Sequence, residues 1–212
     1  MGYTGGAIYL TDSSTFTGTA LEFSENTAYN GGAIELTDGS TATLTNVEFA
    51  DNTAHRDGGA LRVYDSSEAS CLNCEFDSNN ADKGGAVDVS VDATFADTGG
   101  VYTDNEAIDQ DGGAIRVTLD GALELNTSTF EGNEAAQAGG ALYLYQPGDT
   151  TVIADASFQN NVAGSDGGAI SADLGSSLTV SNTAFEDNST TLGSGGAIAF
   201  DPVTSGSTLT IS

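Results

Sequence analysis

The sequence predicts an all-β fold, a single parallel β-helix, from two short strings that repeat in phase and from apolar residues that alternate between them. The first string is Gly-Gly-Ala followed by Ile, Leu or Val. It occurs eight times at intervals of 26 to 28 residues, beginning at Gly5, Gly31, Gly58, Gly84, Gly112, Gly139, Gly167 and Gly195. A period of this length is typical of solenoids, in which each repeat stacks on the next.

The second string is an aromatic residue followed three positions later by Asn, and it keeps step with the first. The pairs are Phe23 and Asn26, Phe49 and Asn52, Phe76 and Asn79, Tyr102 and Asn105, Phe130 and Asn133, Phe158 and Asn161, and Phe185 and Asn188. Two independent markers in phase along the chain indicate that every repeat folds into the same structural unit.

The residues between the markers predict three short strands in each repeat. After Gly-Gly-Ala the apolar residues alternate with polar ones, as at Ile34 and Leu36, which is the period of a strand with one buried face. A turn such as residues 38–40 follows, then a second alternating stretch, seen at Leu178 and Val180, and then the aromatic segment. The predicted rod therefore has about eight coils of 26–28 residues.

Each column of equivalent residues is predicted to form a ladder, because stacked strands lie about 4.8 Å apart and each residue lies over its counterpart. The Asn column is expected at a corner, since Asn adopts left-handed backbone angles and bonds to the coils on either side. The aromatic column is expected to stack inside. The Gly-Gly pairs are expected at the opposite bend, where a side chain would obstruct the turn.

The position after each Gly-Gly-Ala-apolar string is predicted to point outward. Along the rod this column consists of Tyr9, Glu35, Arg62, Asp88, Arg116, Tyr143, Ser171 and Ala199. Opposite charges on adjacent strands attract by about 0.2–1 kcal/mol, so its four charged members are interpreted as a structural charge ladder. Lys83 is expected between Asp57 and Asp111 of the neighbouring coils. Arg56 is expected beside Asp82 of the following coil.

The charge balance excludes several partners. The chain has 4 Lys and Arg against 31 Asp and Glu, a formal net charge of −27. Nucleic acid is not an expected partner, since phosphates are held by Lys and Arg, and anionic membrane surfaces are disfavoured. No apolar run approaches the roughly 18–20 residues of a membrane helix, and the first residues do not resemble a signal peptide. Direct membrane insertion is therefore not expected.

The two strings resemble the repeat of the chlamydial polymorphic outer membrane proteins, over essentially all of the chain from Gly5 to Asn188. The passenger domains of that family are right-handed parallel β-helices, displayed by autotransport and used as adhesins. The resemblance implies a right-handed β-helix in an extracellular or cell-surface location. It also implies a non-enzymatic, adhesin-like role as a stalk or passenger segment.

Five tyrosines are the candidate contact residues for such a role. They are Tyr9, Tyr29, Tyr64, Tyr143 and Tyr145. The expected partner is a host or neighbouring cell surface, or a glycan. An alternative is a carbohydrate-active enzyme, which needs carboxylates converging on a glycosidic oxygen or a basic residue beside calcium. Because the acids are spread around the coils and the ladder accounts for the cations, no catalytic residue is predicted.

Cys71 and Cys74 have the spacing of a zinc or redox motif. Zinc needs four ligands, and His55 is the single histidine. Since Cys71 aligns with Leu44 and Cys74 with Val47, buried free thiols are favoured, with a local disulfide as an alternative. No metal site and no cofactor are predicted, but the many carboxylates leave calcium open.

The whole chain, residues 1–212, is predicted to be one β-helix domain with both ends uncapped. Solenoids normally protect their terminal strand edges with atypical repeats. An alternative function follows from this prediction, namely a filament subunit that assembles end to end with further copies of itself.

Overall fold

The computed structural model describes residues 2–148, 151–173, 175, 177–201 and 207–212. These residues form a right-handed parallel β-solenoid, which confirms the predicted fold class. They contain 31 strands and no helix, so none of their segments is a helix that could cross a membrane. The predicted single domain also takes in residues outside these ranges, such as Met1.

Each coil has four strands, and the prediction of three was wrong in that respect. Equivalent strands of successive coils pair in parallel and form four sheets. We number the sheets 1 to 4 in the order in which the chain enters them. In the described part of the chain, sheets 1 to 3 have eight strands and sheet 4 has seven, so the solenoid makes between seven and eight turns.

Sheet 1 is the sheet that the sequence did not predict. Its strands follow the Asn of each repeat, and five of them have only two residues. Six of them bury a single alanine, such as Ala81 or Ala107, so there is no alternation of apolar residues to detect. The strands are β1 (Gly2–Thr4), β5 (Thr27–Asn30), β9 (Thr53–Asp57), β13 (Asn80–Ala81), β17 (Glu106–Ala107), β21 (Glu134–Ala135), β25 (Val162–Ala163) and β29 (Ser189–Thr190).

Sheet 2 begins directly after each Gly-Gly-Ala string. Its apolar residues, such as Ile34 and Leu36, are buried in the core. The strands are β2 (Ile8–Leu10), β6 (Ile34–Leu36), β10 (Leu61–Tyr64), β14 (Val87–Ser90), β18 (Ile115–Thr118), β22 (Leu142–Tyr145), β26 (Ile170–Asp173) and β30 (Ile198–Asp201).

Sheets 3 and 4 carry the second alternating stretch and the aromatic segment. Sheet 3 consists of β3 (Thr15–Thr19), β7 (Thr41–Thr45), β11 (Glu68–Leu72), β15 (Thr94–Thr98), β19 (Ala122–Asn126), β23 (Thr151–Ala154), β27 (Ser177–Ser181) and β31 (Thr208–Ile211). Sheet 4 consists of β4 (Glu22–Ser24), β8 (Glu48–Ala50), β12 (Glu75–Asp77), β16 (Val101–Thr103), β20 (Thr129–Glu131), β24 (Ser157–Gln159) and β28 (Ala184–Glu186).

Residues with left-handed backbone angles turn the chain at the corners. Between sheets 1 and 2 this residue is the first glycine of the pair, with a φ of 72° at Gly112. Between sheets 4 and 1 it is the residue before the repeat Asn, such as Asp51 or Asp104, and none of the seven Asn has a positive φ. The prediction that Asn supplies the left-handed angle was therefore wrong. Asn occupies its position because of its side-chain hydrogen bonds.

The asparagine ladder itself is confirmed. From Asn26 to Asn161, each backbone N–H and each Nδ2 donates to Oδ1 of the next Asn at 2.9–3.1 Å. From Asn52 onward, Nδ2 also donates to the carbonyl oxygen of the aromatic residue one coil earlier. Five of the seven, Asn52 to Asn161, are fully buried. The amide groups thus satisfy each other along the corner.

The aromatic side chains stack beside this ladder inside the core. The rings lie 4.5–5.3 Å apart with interplanar angles of 3–14°. The stacked residues are Phe23, Phe49, Phe76, Tyr102, Phe130, Phe158 and Phe185. Because each ring packs on the next one, the column fixes the register of neighbouring coils.

Candidate binding groove on sheet 2

The column of sheet 2 that faces away from the core is the floor of a groove. In register from strand to strand it consists of Tyr9, Glu35, Arg62, Asp88, Arg116, Tyr143, Ser171 and Ala199. A face pointing outward is expected to be solvated, yet Glu35 is only 2% exposed and Asp88 only 1%. We call this surface the sheet 2 groove.

Two walls shield the floor of the sheet 2 groove. One wall consists of residues near the end of sheet 1, including Asp57 and Lys83. The other wall is the turn that leads to sheet 3, where Val91 and Leu119 have left-handed backbone angles. Between them lies a cavity of about 280 Å³. The acids Glu35 and Asp88 on the floor are almost inaccessible to bulk water.

Ion pairs connect neighbouring strands along the floor. Arg62 donates to Oε1 of Glu35 at 2.5 Å, and Arg116 donates to Oδ1 of Asp88 at 2.9 Å. Arg62 Nε also lies 3.9 Å from Oδ2 of Asp88. Arg62 therefore holds the carboxylates of the coils on both sides of it.

Asp57 forms ion pairs with the other two cations, Arg56 and Lys83, and with Arg62. Its carboxylate lies 3.7 Å from Arg56 Nε, 3.7 Å from Arg62 Nη2 and 4.0 Å from Lys83 Nζ. The ion pair of Arg56 is thus with its chain neighbour Asp57, although the bridge between Asp57 and Lys83 keeps Arg56 in register with Asp82 of the next coil. All four cationic side chains of this strongly acidic protein line one groove.

Burial is the largest cause of the pKa shifts of the acidic residues in the groove. It raises the pKa of Glu35 and of Asp57, and Arg62 opposes the rise at both carboxyl groups. Burial also raises the pKa of Asp111, on the wall. A buried carboxylate is stable only when it is paired, so the cations of this groove compensate buried negative charge. The groove around them is close to neutral.

Tyr143 and Tyr145 lie further along the groove, on β22. Their rings are 6.3 Å apart and nearly parallel, at 8°. Burial raises the pKa of Tyr143, and the charges of Asp111 and Asp173 raise it further. Both tyrosines are partly exposed, so their apolar ring surfaces and hydroxyl groups are accessible from the groove.

The groove becomes acidic beyond these tyrosines. A cavity of about 440 Å³ is lined there by Asp166, Asp173 and Asp201, together with Phe200. Burial raises the pKa of Asp173, and the charges of Asp201 and other aspartates add to the rise. No Lys or Arg is among the residues that line this cavity. One end of the groove therefore has balanced charges, and the other has an excess of negative charge.

The structure brings three of the five candidate tyrosines into the groove. Tyr64 lies against the guanidinium group of Arg62, whose carbon is 4.0 Å from the ring centre. Tyr143 and Tyr145 follow three coils later on the same sheet. Tyr9 lies at the start of the same column and is half exposed, whereas Tyr29 lies on sheet 1.

Buried polar atoms without a hydrogen-bond partner concentrate in the sheet 2 groove. In the part of the chain that the structure describes there are nine such side-chain atoms, and six belong to the groove and its rim. They are Asn30 Oδ1, Glu35 Oε2, Arg62 Nε, Arg116 Nε, Thr118 Oγ1 and Ser171 Oγ. Buried polar atoms are normally paired, and an unpaired one costs about 1–3 kcal/mol. These polar groups are therefore buried at a cost in stability.

Sequence analysis identified the column and the tyrosines but did not predict that Thr118 and Ser171 are buried. Both stand in outward columns, and the repeat predicts that position correctly. Their burial depends on the height of the walls, which is set by loops whose lengths differ between repeats. The sequence did contain one signal for the site. All the cations of this acidic chain fall on one face of sheet 2 and its border.

A second polar cluster lies inside the core. Asp97 pairs in register with Cys71 and Leu125 and is only 2% exposed. Ser128 Oγ donates to Oδ2 of Asp97 at 2.6 Å, and hydrogen bonds from the Gly100 backbone and the Tyr102 hydroxyl group also oppose the rise in the pKa of this carboxyl group. Cys71 and Cys74 are buried free thiols, and burial raises the pKa of Cys71. A high pKa keeps that thiol protonated and unreactive. This cluster therefore places polar groups in an apolar core at a cost in stability.

Asp97 gives the protein a pH-dependent stability. Burial raises its pKa from the usual 3.8 to about 6, so the folded chain keeps a proton that the unfolded chain releases. The contribution of protonated Asp97 to the free energy of unfolding is fully present below pH 3.8 and is lost as the pH rises through about 6. We expect Asp97→Asn to be about as stable as the native chain at pH 4 and more stable by about 3 kcal/mol at pH 8. Urea unfolding at both pH values measures this difference.

The exposed acid Glu48 on sheet 4 provides the control for this experiment. Glu48→Gln removes a carboxylate of the same charge from solvent, so its effect is expected to be small at both pH values. If Asp97→Asn showed no gain between pH 4 and pH 8 relative to Glu48→Gln, the carboxyl group of Asp97 would not be desolvated as described.

Among the described residues, no group of three or more His, Cys, Asp and Glu side chains is arranged to hold a metal ion. This includes the cysteine pair and the three aspartates at the acidic end of the groove. Calcium binding and end-to-end assembly stay predictions.

Fold and groove together define a β-solenoid repeat protein with a recessed polar surface along one sheet. The profile described as the right handed beta helix region matches residues 2–156, and the chain belongs to this family of right-handed β-helices. The profile of the Chlamydia polymorphic membrane protein repeat matches residues 155–173, which confirms the resemblance of the repeat. No curated protein gives a significant match to the chain.

Proposed function

We propose that the chain is an adhesin-like, non-enzymatic segment of an extracellular surface protein and that it binds its partner through the sheet 2 groove. The observation that carries this proposal is the recessed sheet 2 groove itself, with one cavity of about 280 Å³ over the ion pairs and another of about 440 Å³ at its acidic end. Two stacked tyrosines lie beside them. A ligand in the groove would gain both hydrogen bonds and contact with apolar ring surfaces.

The extracellular location is supported by the repeat. The Chlamydia polymorphic membrane protein repeat, which matches residues 155–173, occurs in proteins of the outer membrane surface. The net charge of −27 also suits a rod that stays dispersed in water. A stiff rod of stacked coils is a suitable stalk, because it holds a binding surface at a distance from its point of attachment.

Binding is favoured over catalysis by the state of the acids. A carboxyl group that acts as a general acid or base must be free to exchange a proton with the substrate. Glu35, Asp57 and Asp88 each lie within 4.0 Å of a guanidinium or ammonium nitrogen. These pairs suit a surface that presents fixed hydrogen-bonding groups to a ligand.

The test is adhesion of the purified chain to intact cells. We expect the double variant Tyr143→Ser and Tyr145→Ser to lose at least tenfold in binding, because it removes the two accessible ring surfaces of the groove. Fluorescently labelled chain is measured on cells of the organism that produces it and on a cultured epithelial line, by flow cytometry.

The matched control is the double variant Leu72→Ser and Val152→Ser on sheet 3. It removes apolar side chains that are exposed on another face, and its binding is expected to stay within twofold of the native chain. Equal losses in the two double variants would contradict a role for the groove. Absence of binding by the native chain to both kinds of cell would contradict the adhesin-like role.

A further inference from the structure

We infer that the outward face of sheet 3 binds crystalline water, that is, the surface of ice. This inference concerns a different face from the sheet 2 groove and does not depend on the binding role proposed for that groove. The composition, the charge, the spacing and the shape of the face lead to it.

Threonine fills half of the outward positions of sheet 3. The described strands of this sheet have 22 positions that face away from the core, of which eleven are Thr, three are Ser and three are Ala. On β3 and β7 every outward residue is a threonine, namely Thr15, Thr17, Thr19, Thr41, Thr43 and Thr45. We call the outward positions of sheet 3 the threonine face.

The threonine face is almost uncharged on a strongly acidic protein. The chain has 31 Asp and Glu residues, but in the described strands only Glu68 and Glu124 lie on this face, and no Lys or Arg does. An ionic ligand or a mineral surface would therefore find few charges of opposite sign here. The face suits a neutral surface that offers hydrogen bonds.

The hydroxyl groups of the threonine face are available to such a surface. On β3 and β7, none of the six threonine hydroxyl groups has a hydrogen-bond partner among the described residues. Each hydroxyl can donate one hydrogen bond and accept two. Threonine is branched at Cβ, which restricts χ1, so the hydroxyl and methyl groups keep fixed positions. Ordered water can bond to the hydroxyls and enclose the methyls.

The threonines are regularly spaced in two directions. Along the rod, Thr17 and Thr43 pair in register, and such neighbours lie about 4.8 Å apart. Across the rod, Thr41 and Thr43 are two residues apart on one strand, a distance of about 6.7 Å. Both distances are close to the repeats of the oxygen atoms on the prism faces of ice. The face can therefore hold water molecules at positions that continue the crystal.

The stacking of the coils keeps the threonine face flat, as contact with a crystal requires. Sheet 3 keeps its register from β3 to β31 without a bulge. Flat sheets of many strands are normally held by stacking and by side-chain ladders. This protein has both, because its stacked core rings are parallel to within 14° and its asparagine ladder runs beside them.

A shallow trough runs along the threonine face between two of its columns. It has a volume of about 260 Å³ and spans β7, β11 and β15, and its lining includes Thr41, Thr43, Ser70 and Thr94. One water molecule takes about 30 Å³ in the liquid, so the trough has room for a row of several. Water held there by hydroxyl groups on both sides would belong to the first layer of the ice.

Thr43→Tyr is the substitution that tests this inference. Thr43 is exposed in the middle column of the face, so a tyrosine there would project from the face and keep the crystal away from the neighbouring threonines. Tyrosine is well accepted on strands, and the Tm is expected to stay unchanged. Thr27→Tyr is the matched control, because Thr27 is also exposed but lies on sheet 1. If Thr43→Tyr lowered the Tm, Thr17→Tyr on the neighbouring strand would replace it.

The probe is ice itself. Thermal hysteresis, the gap between the melting and freezing temperatures of a single ice crystal, is measured in solutions of the purified chain, together with incorporation of the labelled chain into growing ice. We expect the native chain and Thr27→Tyr to show the same hysteresis and the same incorporation, and Thr43→Tyr to lose both. The double variant Tyr143→Ser and Tyr145→Ser is expected to keep both, since it alters another face.

Two outcomes would overturn this inference and leave the proposed function of the groove intact. The first is a native chain that shows no hysteresis and is excluded from growing ice. The second is equal activity of the native chain and Thr43→Tyr, or equal losses in Thr43→Tyr and Thr27→Tyr. Sedimentation would identify a different occupant. A native dimer without hysteresis that Thr43→Tyr converts to a monomer would show that a second copy of the chain covers the threonine face.

Discussion

Replacing Gly113 by alanine is expected to prevent the solenoid from folding. Gly113 is the second glycine of its pair, and a Cβ atom there would overlap the carbonyl oxygen of Gly140 in the next coil. The coils cannot separate to make room, because Gly113 N–H donates to the carbonyl oxygen of Gly139 at 3.0 Å. We expect a loss of more than about 4 kcal/mol in the free energy of unfolding, or insoluble protein. Urea unfolding followed by circular dichroism measures it.

Gly39→Ala is the matched control for this substitution. Gly39 has a positive φ, 69°, which Gly113 does not, and the nearest atom to an added Cβ is Ser13 Oγ at 3.5 Å. Only the left-handed backbone angle opposes alanine there, at a cost of about 1–2 kcal/mol. If Gly113→Ala proved no more destabilising than Gly39→Ala, close approach between coils would not explain the second glycine of the repeat.

Replacing Asn105 by alanine is expected to cost about 4 kcal/mol of stability. Nδ2 of Asn105 donates to the carbonyl oxygen of Phe76 and to Oδ1 of Asn133, both at 2.9 Å. Its Oδ1 accepts from the backbone N–H and from Nδ2 of Asn79 at 3.0 Å. Alanine leaves several of these buried groups without a partner, each costing about 1–3 kcal/mol. The measurement is the midpoint and slope of urea unfolding.

Asn26→Ala provides the comparison for the ladder. Asn26 begins the ladder, is only partly buried, and its Nδ2 donates to Asn52 at 2.9 Å. Its removal is expected to cost about 1 kcal/mol, because solvent can reach the groups that it leaves. Similar losses for Asn26→Ala and Asn105→Ala would indicate that burial of the ladder contributes little.

Most of the fold could be predicted from the repeat because register follows from spacing. Once two markers recur in phase, every residue is assigned a neighbour one coil away, and the pairing of Arg62 with Glu35 and Asp88 follows. Sheet 1 was missed because a strand of two residues such as Asn80–Ala81 buries a single side chain. Periodicity needs at least two apolar positions before it can be recognised.

The candidate site was less predictable from the sequence, because the depth of the sheet 2 groove depends on how separate parts of each coil pack together. The sequence identifies which side chains leave the core, but the walls that enclose Glu35 and Asp88 arise from corner loops of different lengths. Asp97 is a different case. Its column contains Leu44, Cys71 and Leu125 in register, so an acid in an apolar column could have been recognised by alignment of the repeats alone.

The direction of the hydrogen bonds between coils determines how the molecule responds to tension. These bonds run along the rod, so a pull on its two ends loads the interfaces between coils in series. One coil detaches before the others yield, and its 26 to 28 residues extend to about 90 Å. The remaining coils keep their register. The rod is therefore expected to lengthen in steps under tension, one coil at a time. The groove keeps its structure until the coils that form it detach.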